Sequence, residues 1–165
     1  MIKLGDVFKL DEREDLYQVA GIDPLGKVVA RKYELDRGPI DELIEFSSNF
    51  KVQVLFNSFE PPNIERGWDV CELNYQVEFS ERGDWTGILW FEAVILMGDG
   101  TQNTILTSPN APFSRGNNWP NPEVLANHLV HSELIKQLTD DGWVPIIERR
   151  SWWWKCRFKR PPQRR

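Results

Sequence analysis

The sequence predicts an α+β fold in which an antiparallel, twisted sheet is packed by one main C-terminal helix and carries an N-terminal, SH3-like β-hairpin lobe. Residues 71–79 alternate apolar and polar side chains, as a half-buried strand does. Residues 85–97 are apolar on both faces, like a central strand. Residues 122–140 carry signals for the start and the end of a helix. Together these segments predict a meander covered by a helix.

The meander is expected to continue beyond the central strand. A Gly-Asp-Gly turn leads into a predicted third strand at residues 103–108. Residues 109–120, rich in Asn, Gly and Pro, are predicted to form a long loop. Two shorter strands are expected after the helix, at residues 144–148 and 152–158.

The helix boundaries rest on capping residues. Asn121 is a favourable N-cap, and Pro122 behind it suits the first helical position. Gly142 can adopt the left-handed conformation that ends a helix. These residues predict a helix over 122–140.

The N-terminal lobe is predicted from short β-rich runs. Leu16–Ile22 and residues 27–33 are joined by an Asp-Pro-Leu-Gly turn, which predicts a hairpin. Asp6–Leu10 is expected to add a third strand, and residues 51–56 alternate like a strand. Residues 40–47 are predicted to form a short helix, because apolar residues recur among acids there.

Domain limits follow from proline and charge. Pro61 and Pro62 cannot donate to a β-ladder, so the lobe boundary is predicted near them. We expect a β-rich lobe over residues 1–58, a sheet-and-helix domain over 66–160, and a flexible basic tail over 161–165.

Composition indicates an ordered globular chain with an uneven charge distribution. Of 165 residues, 41% are hydrophobic and 12% aromatic, unlike a disordered chain. Residues 148–165 carry eight Lys/Arg and one acid (+7), which leaves 12 bases and 24 acids (−12) in the remainder of the −5 total. Such a split suits an acidic or nucleic-acid partner, or a basic strand solvated beside an acidic body.

The N-terminus lacks the apolar core of a signal peptide, and the most apolar run, residues 88–97, is too short to span a bilayer. We therefore expect a cytoplasmic protein without membrane association. Cys71 and Cys156 are then predicted to be reduced core thiols, with a disulfide between them as the minor alternative. His128 and His131 lack metal-ligand spacing, and we expect no metal or cofactor.

A segment near the C-terminus resembles a group of small bacterial domains of unknown function. The resemblance rests on Leu134, Leu138, the Asp-Gly-Trp turn at residues 141–143, and the aromatic, basic-ended run at residues 152–160. In those domains a helix runs through a Gly-Trp turn into an aromatic strand. The resemblance implies a helix-on-sheet fold and no activity.

The predicted function is that of a non-catalytic binding or scaffold domain with a protein partner. Aromatic and Arg residues on loops are enriched among interface anchors, and the last strand is expected to expose an aromatic residue among cations. The candidate contact residues are Phe113, Arg115 and Trp119 in the loop, and Trp153, Lys155, Arg157 and Lys159 in the strand.

The sequence leaves two alternative functions open. Trp153 interleaved with Lys155, Arg157 and Lys159 could hold single-stranded nucleic acid, although the acidic body would repel phosphates. Alternatively, Glu92 inside the central strand could pair with His131, or with His128, as an enzymatic acid or base. That pair requires the helix to cover the face that bears Glu92. No nucleophile elbow, phosphate loop or dinucleotide fingerprint supports an enzyme.

Overall fold

The computed structural model describes residues 1–11, 13–47, 51–80, 86–97, 99–114 and 120–163. The chain folds into two antiparallel sheets and one helix in this part, and is mostly strand (48%). It divides into two compact units: Met1–Asn63 with Ile147–Trp152, here called the N-terminal unit, and Ile64–Ile146 with Trp153–Arg165, the C-terminal unit.

The N-terminal unit contains a five-stranded antiparallel sheet. Its strands are β1 (Asp6–Leu10), β2 (Leu16–Ile22), β3 (Val28–Glu34), β4 (Gly38–Phe46) and β5 (Val52–Asn57). The strand order is β4-β3-β2-β1-β5, with register shifts in the β1–β5, β2–β3 and β3–β4 pairs. Its core is formed by Phe8, Tyr17, Val19, Val28 and Ala30.

The predicted hairpin between β2 and β3 is confirmed. The amide of Gly26 donates to the Asp23 carbonyl at 3.0 Å. The Asp23 side chain accepts from the amides of Leu25 and Lys27 at 2.9 and 2.8 Å. An aspartate at the first position of a type I turn satisfies backbone donors in this way.

The short helix predicted over residues 40–47 is wrong, because residues 40–46 lie within strand β4. Ile44 pairs with Ala30 and Phe46 with Val28 of the neighbouring strand. Both side chains pack on the N-terminal core, whereas Leu43 between them is 58% exposed. Burial with period two, supported by strand pairing, overrides the helical spacing of the apolar residues.

The C-terminal unit is a six-stranded sheet covered by a helix. Its elements are β6 (Asp69–Phe79), β7 (Thr86–Leu96), β8 (Gln102–Thr107), β9 (Ala111–Ser114), α1 (Leu125–Asp140), β10 (Val144–Pro145) and β11 (Arg157–Arg160). The order is β10-β11-β6-β7-β8. Because β6 occupies one edge of β7, both β8 and β9 pair along the other.

The two faces of this sheet differ in what covers them. On one, the helix face, Leu89, Phe91 and Ala93 of β7 are buried with Leu134 and Leu138 of α1. The same core includes Cys71, Leu73, Trp143, Trp154, Cys156 and Phe158. On the opposite, or far, face lie the alternate residues of the same strand, among them Trp90 and Glu92. The predicted meander with its central strand is therefore confirmed.

Helix α1 begins at Leu125, three residues later than predicted. The Asn121 side chain accepts from the Glu123 amide at 2.9 Å, and its carbonyl accepts from the Val124 amide at 3.2 Å. Asn121 thus closes a turn before the helix rather than capping it. The N-cap position is held by Val124, without a side-chain cap hydrogen bond.

The predicted helix end is confirmed. Gly142 has φ +88°. Its amide donates to the Thr139 carbonyl and that of Trp143 to the Leu138 carbonyl, both at 3.0 Å. This is the Schellman pattern, in which the residue after the glycine packs back on the helix. Trp143 and Leu138 accordingly share the core.

Two predictions for the C-terminal strands are wrong in extent. Strand β10 is limited to Val144–Pro145, and β11 begins at Arg157 rather than at residue 152. The Cys156 amide donates to the Trp154 carbonyl at 3.0 Å, so the chain turns before the strand. The predicted loop over residues 109–120 also contains a strand, β9.

The division into units lies within the interval that the sequence analysis leaves between residues 58 and 66. It falls between Asn63 and Ile64, and it assigns Ile147–Trp152 to the N-terminal unit. There the Arg150 amide donates to the Leu35 carbonyl at 2.6 Å. In the described ranges no helix has the length and apolar character needed to cross a membrane.

Replacing Gly142 by alanine should destabilise the C-terminal unit by about 1–2 kcal/mol, because a Cβ is strained at positive φ. Urea denaturation followed by tryptophan fluorescence would measure the change. The matched control is Gly21→Ala, since an added Cβ there meets nothing within 4 Å and its φ is not positive. Equal loss of stability in both variants would contradict the expectation.

Candidate functional site

His131 connects the helix to the chain segment before β11. Its side chain is buried, with Nε2 2.9 Å from the Trp154 carbonyl oxygen. Its ring meets Phe91 edge-on at 4.9 Å and Trp153 at 5.0 Å between centroids. A buried imidazole held in this way links α1 to the last part of the sheet.

Glu92 lies on the far face, and the structure does not bring it together with His131. Its carboxylate accepts a hydrogen bond from Nε1 of Trp90 at 3.1 Å. His131 packs against Phe91, the next residue on the same strand, whose side chain points to the helix face. The helix therefore covers the face opposite to the one that the predicted acid–base pair requires.

Trp153 is directed inward rather than presented among cations. Its indole stacks on His128 at 4.2 Å between centroids, with the ring planes 29° apart. Its Nε1 donates to the Pro120 carbonyl at 3.0 Å. The Nε2 atom of His128 lies 2.5 Å from the Pro122 carbonyl oxygen. Trp153 and His128 thus secure the turn that precedes the helix.

The cations of the last strand lie beside acids. Lys155 Nζ is 3.1 Å from the Glu72 carboxylate. Lys159 Nζ is 3.0 and 2.9 Å from the two oxygens of Glu65. The hydrogen bond from Lys159 lowers the pKa of Glu65. Arg157 is half-buried and pairs in register with Glu72. Much of the predicted basic surface is therefore compensated within the unit, which leaves less charge for phosphates.

Phe113 lies in β9 and is half-buried at the end of the sheet. Its ring meets that of Phe79 edge-on at 5.7 Å between centroids. Phe79 itself is 54% exposed. The other two loop candidates, Arg115 and Trp119, lie outside the described residues.

Both cysteines are free and buried, as predicted. Burial raises the pKa of the Cys71 thiol to about 12. The Cys156 sulfur is 4.0 Å from Nε2 of His131 in the same core. Within the described ranges no group of three or more His, Cys, Asp or Glu residues could hold a metal ion.

A pocket on the far face is the feature that the sequence analysis missed. Its volume is about 290 Å³, and it is lined by Glu78, Ile88, Trp90, Thr107, Ser108 and Asn110. These residues come from three neighbouring segments, β6, β7 and the end of β8 with the residues that follow. The alternation of β6 and β7 places Gln76, Glu78 and Trp90 on one face, and that signal was available in the sequence. The strand pairing that brings residues 107–110 to this pocket could not be inferred from the sequence.

A smaller pocket of about 140 Å³ lies in the N-terminal unit, where Arg149 lines it together with Glu60 and Glu148. Nearby, burial raises the pKa of Tyr33, and the charge of Arg149 opposes that rise. Glu60 is paired with Lys3. This site thus contains charges of both signs and little free volume.

No family model, curated protein or solved structure matches this chain.

A thiol reagent should label neither cysteine of the folded protein at mildly alkaline pH, because both are buried and the Cys71 thiol stays protonated. In urea both cysteines should react, and mass spectrometry would give the number of labelled thiols per molecule. The control is Val144→Cys, which introduces a thiol at a position 47% exposed and should react in the folded state. Rapid labelling of native Cys71 or Cys156 would contradict their burial.

Glu65→Gln should lower stability at neutral pH and have no effect at sufficiently low pH. Because the pKa of folded Glu65 lies below its ordinary value of 4.5, its contribution is present above that value. It is lost as the pH falls through the folded pKa. Thermal unfolding over a pH series would test this, with the exposed Glu133→Gln as control. A pH-independent difference would point to a cause other than the Lys159 ion pair.

Proposed function

We propose that the chain is a non-catalytic binding domain that contacts a protein partner through the segment at residues 109–120. The observation that carries the proposal is the aromatic pair of Phe79 and Phe113, in which one ring is 54% exposed and the other supports it. Exposed aromatic residues held in place by neighbours are favourable interface anchors.

The geometry of this pair depends on Gly87. Phe79 and Phe113 pair with this residue from opposite sides, on β6 and β9. With no side chain between them, the two rings can lean together across β7. A Cβ at this position would collide with the Glu78 carbonyl oxygen, so the close approach of β6 and β7 also requires glycine. The pairing of β6, β7 and β9 therefore fixes the positions of Phe79 and Phe113.

Charge suggests the complementary chemistry of the partner. Outside its basic end the chain has a net charge of −12. A partner that presents an apolar side chain ringed by Lys and Arg would match both the aromatic pair and this acidic body. The last strand contributes less to the proposed surface than the loop, because Lys155 and Lys159 are paired with acids and Trp153 is packed inward.

We further propose that the sheet of the N-terminal unit is an SH3-like barrel. The order β4-β3-β2-β1-β5, in which the last strand returns to pair with the first, supports this assignment. The register shifts within its pairs support it too, since bulges bend a sheet toward closure.

The binding proposal predicts that Phe79→Ser weakens a partner complex by about tenfold or more without unfolding the chain. Proteins captured from a lysate of the source cells would be identified, produced in pure form and titrated by calorimetry. The matched control is Leu129→Ser, which removes another exposed apolar side chain, 61% accessible on α1. Circular dichroism would verify the fold of both variants.

Equal binding by the wild type and Phe79→Ser would refute the proposed anchor. So would a loss confined to Leu129→Ser, because the contact would then lie on the helix.

A further inference from the structure

The indole of Trp90 differs from the other tryptophan rings of the C-terminal unit. Each of the others that the structure describes has a ring partner: Lys159 for Trp68, Arg160 for Trp143, His128 for Trp153, and Tyr75 for Trp154. Within the described ranges the ring of Trp90 has no aromatic or cationic partner, and it lines the far-face pocket. An aromatic surface is thus left available there.

This indole is held in place before any ligand arrives. Its Nε1 donates to the carboxylate of Glu92, two residues along the same strand, at 3.1 Å. Both side chains are half-buried on the far face. Because the hydrogen bond limits rotation of the ring, binding on its face costs less conformational entropy.

Apart from the N–H of Trp90, the polar groups of the pocket are free to bind a ligand, with one exception. Glu78, Thr107 and Asn110 are exposed, and their side chains make no hydrogen bond or ion pair in the described part of the chain. Ser108 is the exception, since its hydroxyl accepts from the Phe91 amide and donates to the Pro109 carbonyl, both at 2.8 Å. Among the residues that the structure describes, the lining includes one carboxylate and no cation.

These groups discriminate between ligand classes. The Glu78 carboxylate only accepts hydrogen bonds, whereas the Asn110 amide and the Thr107 hydroxyl both donate and accept. An anion would be repelled by Glu78, and an apolar ligand would desolvate polar groups without replacing their hydrogen bonds. A cation could use Glu78 and the indole, but it would not satisfy the donors of Asn110 and Thr107.

We propose that this pocket binds a neutral saccharide, with one sugar ring placed on the indole of Trp90. The C–H face of the ring would pack on the indole, while its hydroxyls would donate to Glu78 and exchange hydrogen bonds with Asn110 and Thr107. The volume of about 290 Å³ lies near the lower limit of small-molecule sites, as a single sugar ring requires. The indole of Trp90 lies on the face opposite the Phe79–Phe113 pair, because Phe113 packs with Leu89 and Phe91 on the helix face. Asn110 is the one lining residue that also belongs to the proposed contact segment at residues 109–120.

The experiment is a titration of the isotope-labelled full chain, followed through the indole N–H signals in two-dimensional NMR. The probes are the methyl glycosides of glucose, galactose, mannose and N-acetylglucosamine, each added to high millimolar concentration. The Trp90 signal is assigned from a Trp90→Phe variant. We expect at least one glycoside to shift this signal in a saturable manner while the Trp152 signal stays in place.

Two exposed positions then test the site without risk to the core. Glu78→Gln replaces a charged acceptor by a neutral one, and Asn110→Ala removes an amide, so each should raise the dissociation constant of that glycoside about tenfold. The control, Glu133→Gln on the helix, removes an exposed carboxylate elsewhere and should leave the constant unchanged.

The proposal is overturned if none of the glycosides shifts the Trp90 signal. It is also overturned if tetramethylammonium shifts that signal and no glycoside does, since the pocket would then be a cation site. Glycoside binding that is unchanged in both Glu78→Gln and Asn110→Ala would place the sugar elsewhere and likewise reject it.

Discussion

The C-terminal unit depends on the packing of one helix against one face of its sheet. Phe91, at the centre of the central strand, is fully buried with Leu134 and Leu138 of the helix. Removing a side chain of this kind typically costs about 3–5 kcal/mol, a large share of the stability of a small domain. The Schellman turn at Gly142 returns the chain so that Trp143 closes the same core. The roles of most other side chains follow from which face the helix covers.

The sheet face that the helix covers determines which side chains are used in packing and which stay accessible. His131, Trp153 and Cys156 are near the helix face, where their polar atoms meet carbonyls and one another. Such groups hold the helix and the last strand together, and they are not free for chemistry. On the far face the strand alternation presents Trp90 and Glu92, with Glu78 beside them, and the helix does not cover these residues. The hydrogen-bonded indole of Trp90 thus lies on the surface that the helix leaves uncovered.

The charged residues show the same difference between the pattern along the chain and the pairing in the folded sheet. The C-terminal run of cations looks like a basic surface when it is read along the chain. In the sheet Arg157 pairs in register with Glu72, which also binds Lys155, and Lys159 reaches Glu65. Cross-strand pairing of this kind satisfies opposite charges without an external partner. The exposed aromatic residues are therefore a stronger basis for the proposed binding than the net charge of the segment.

Local sequence was enough to predict the strands with clear alternation, the hairpin turn at Asp23 and the end of the helix at Gly142, because these depend on neighbours in the chain. It also identified the buried Cys71 and the central position of Phe91. Long-range contacts made residues 40–46 a strand, packed Trp153 inward, and put Glu92 and His131 on opposite faces. These outcomes depend on which strand pairs with which and on the face that the helix covers. Such contacts join residues far apart in the chain, and local periodicity carries no information about them.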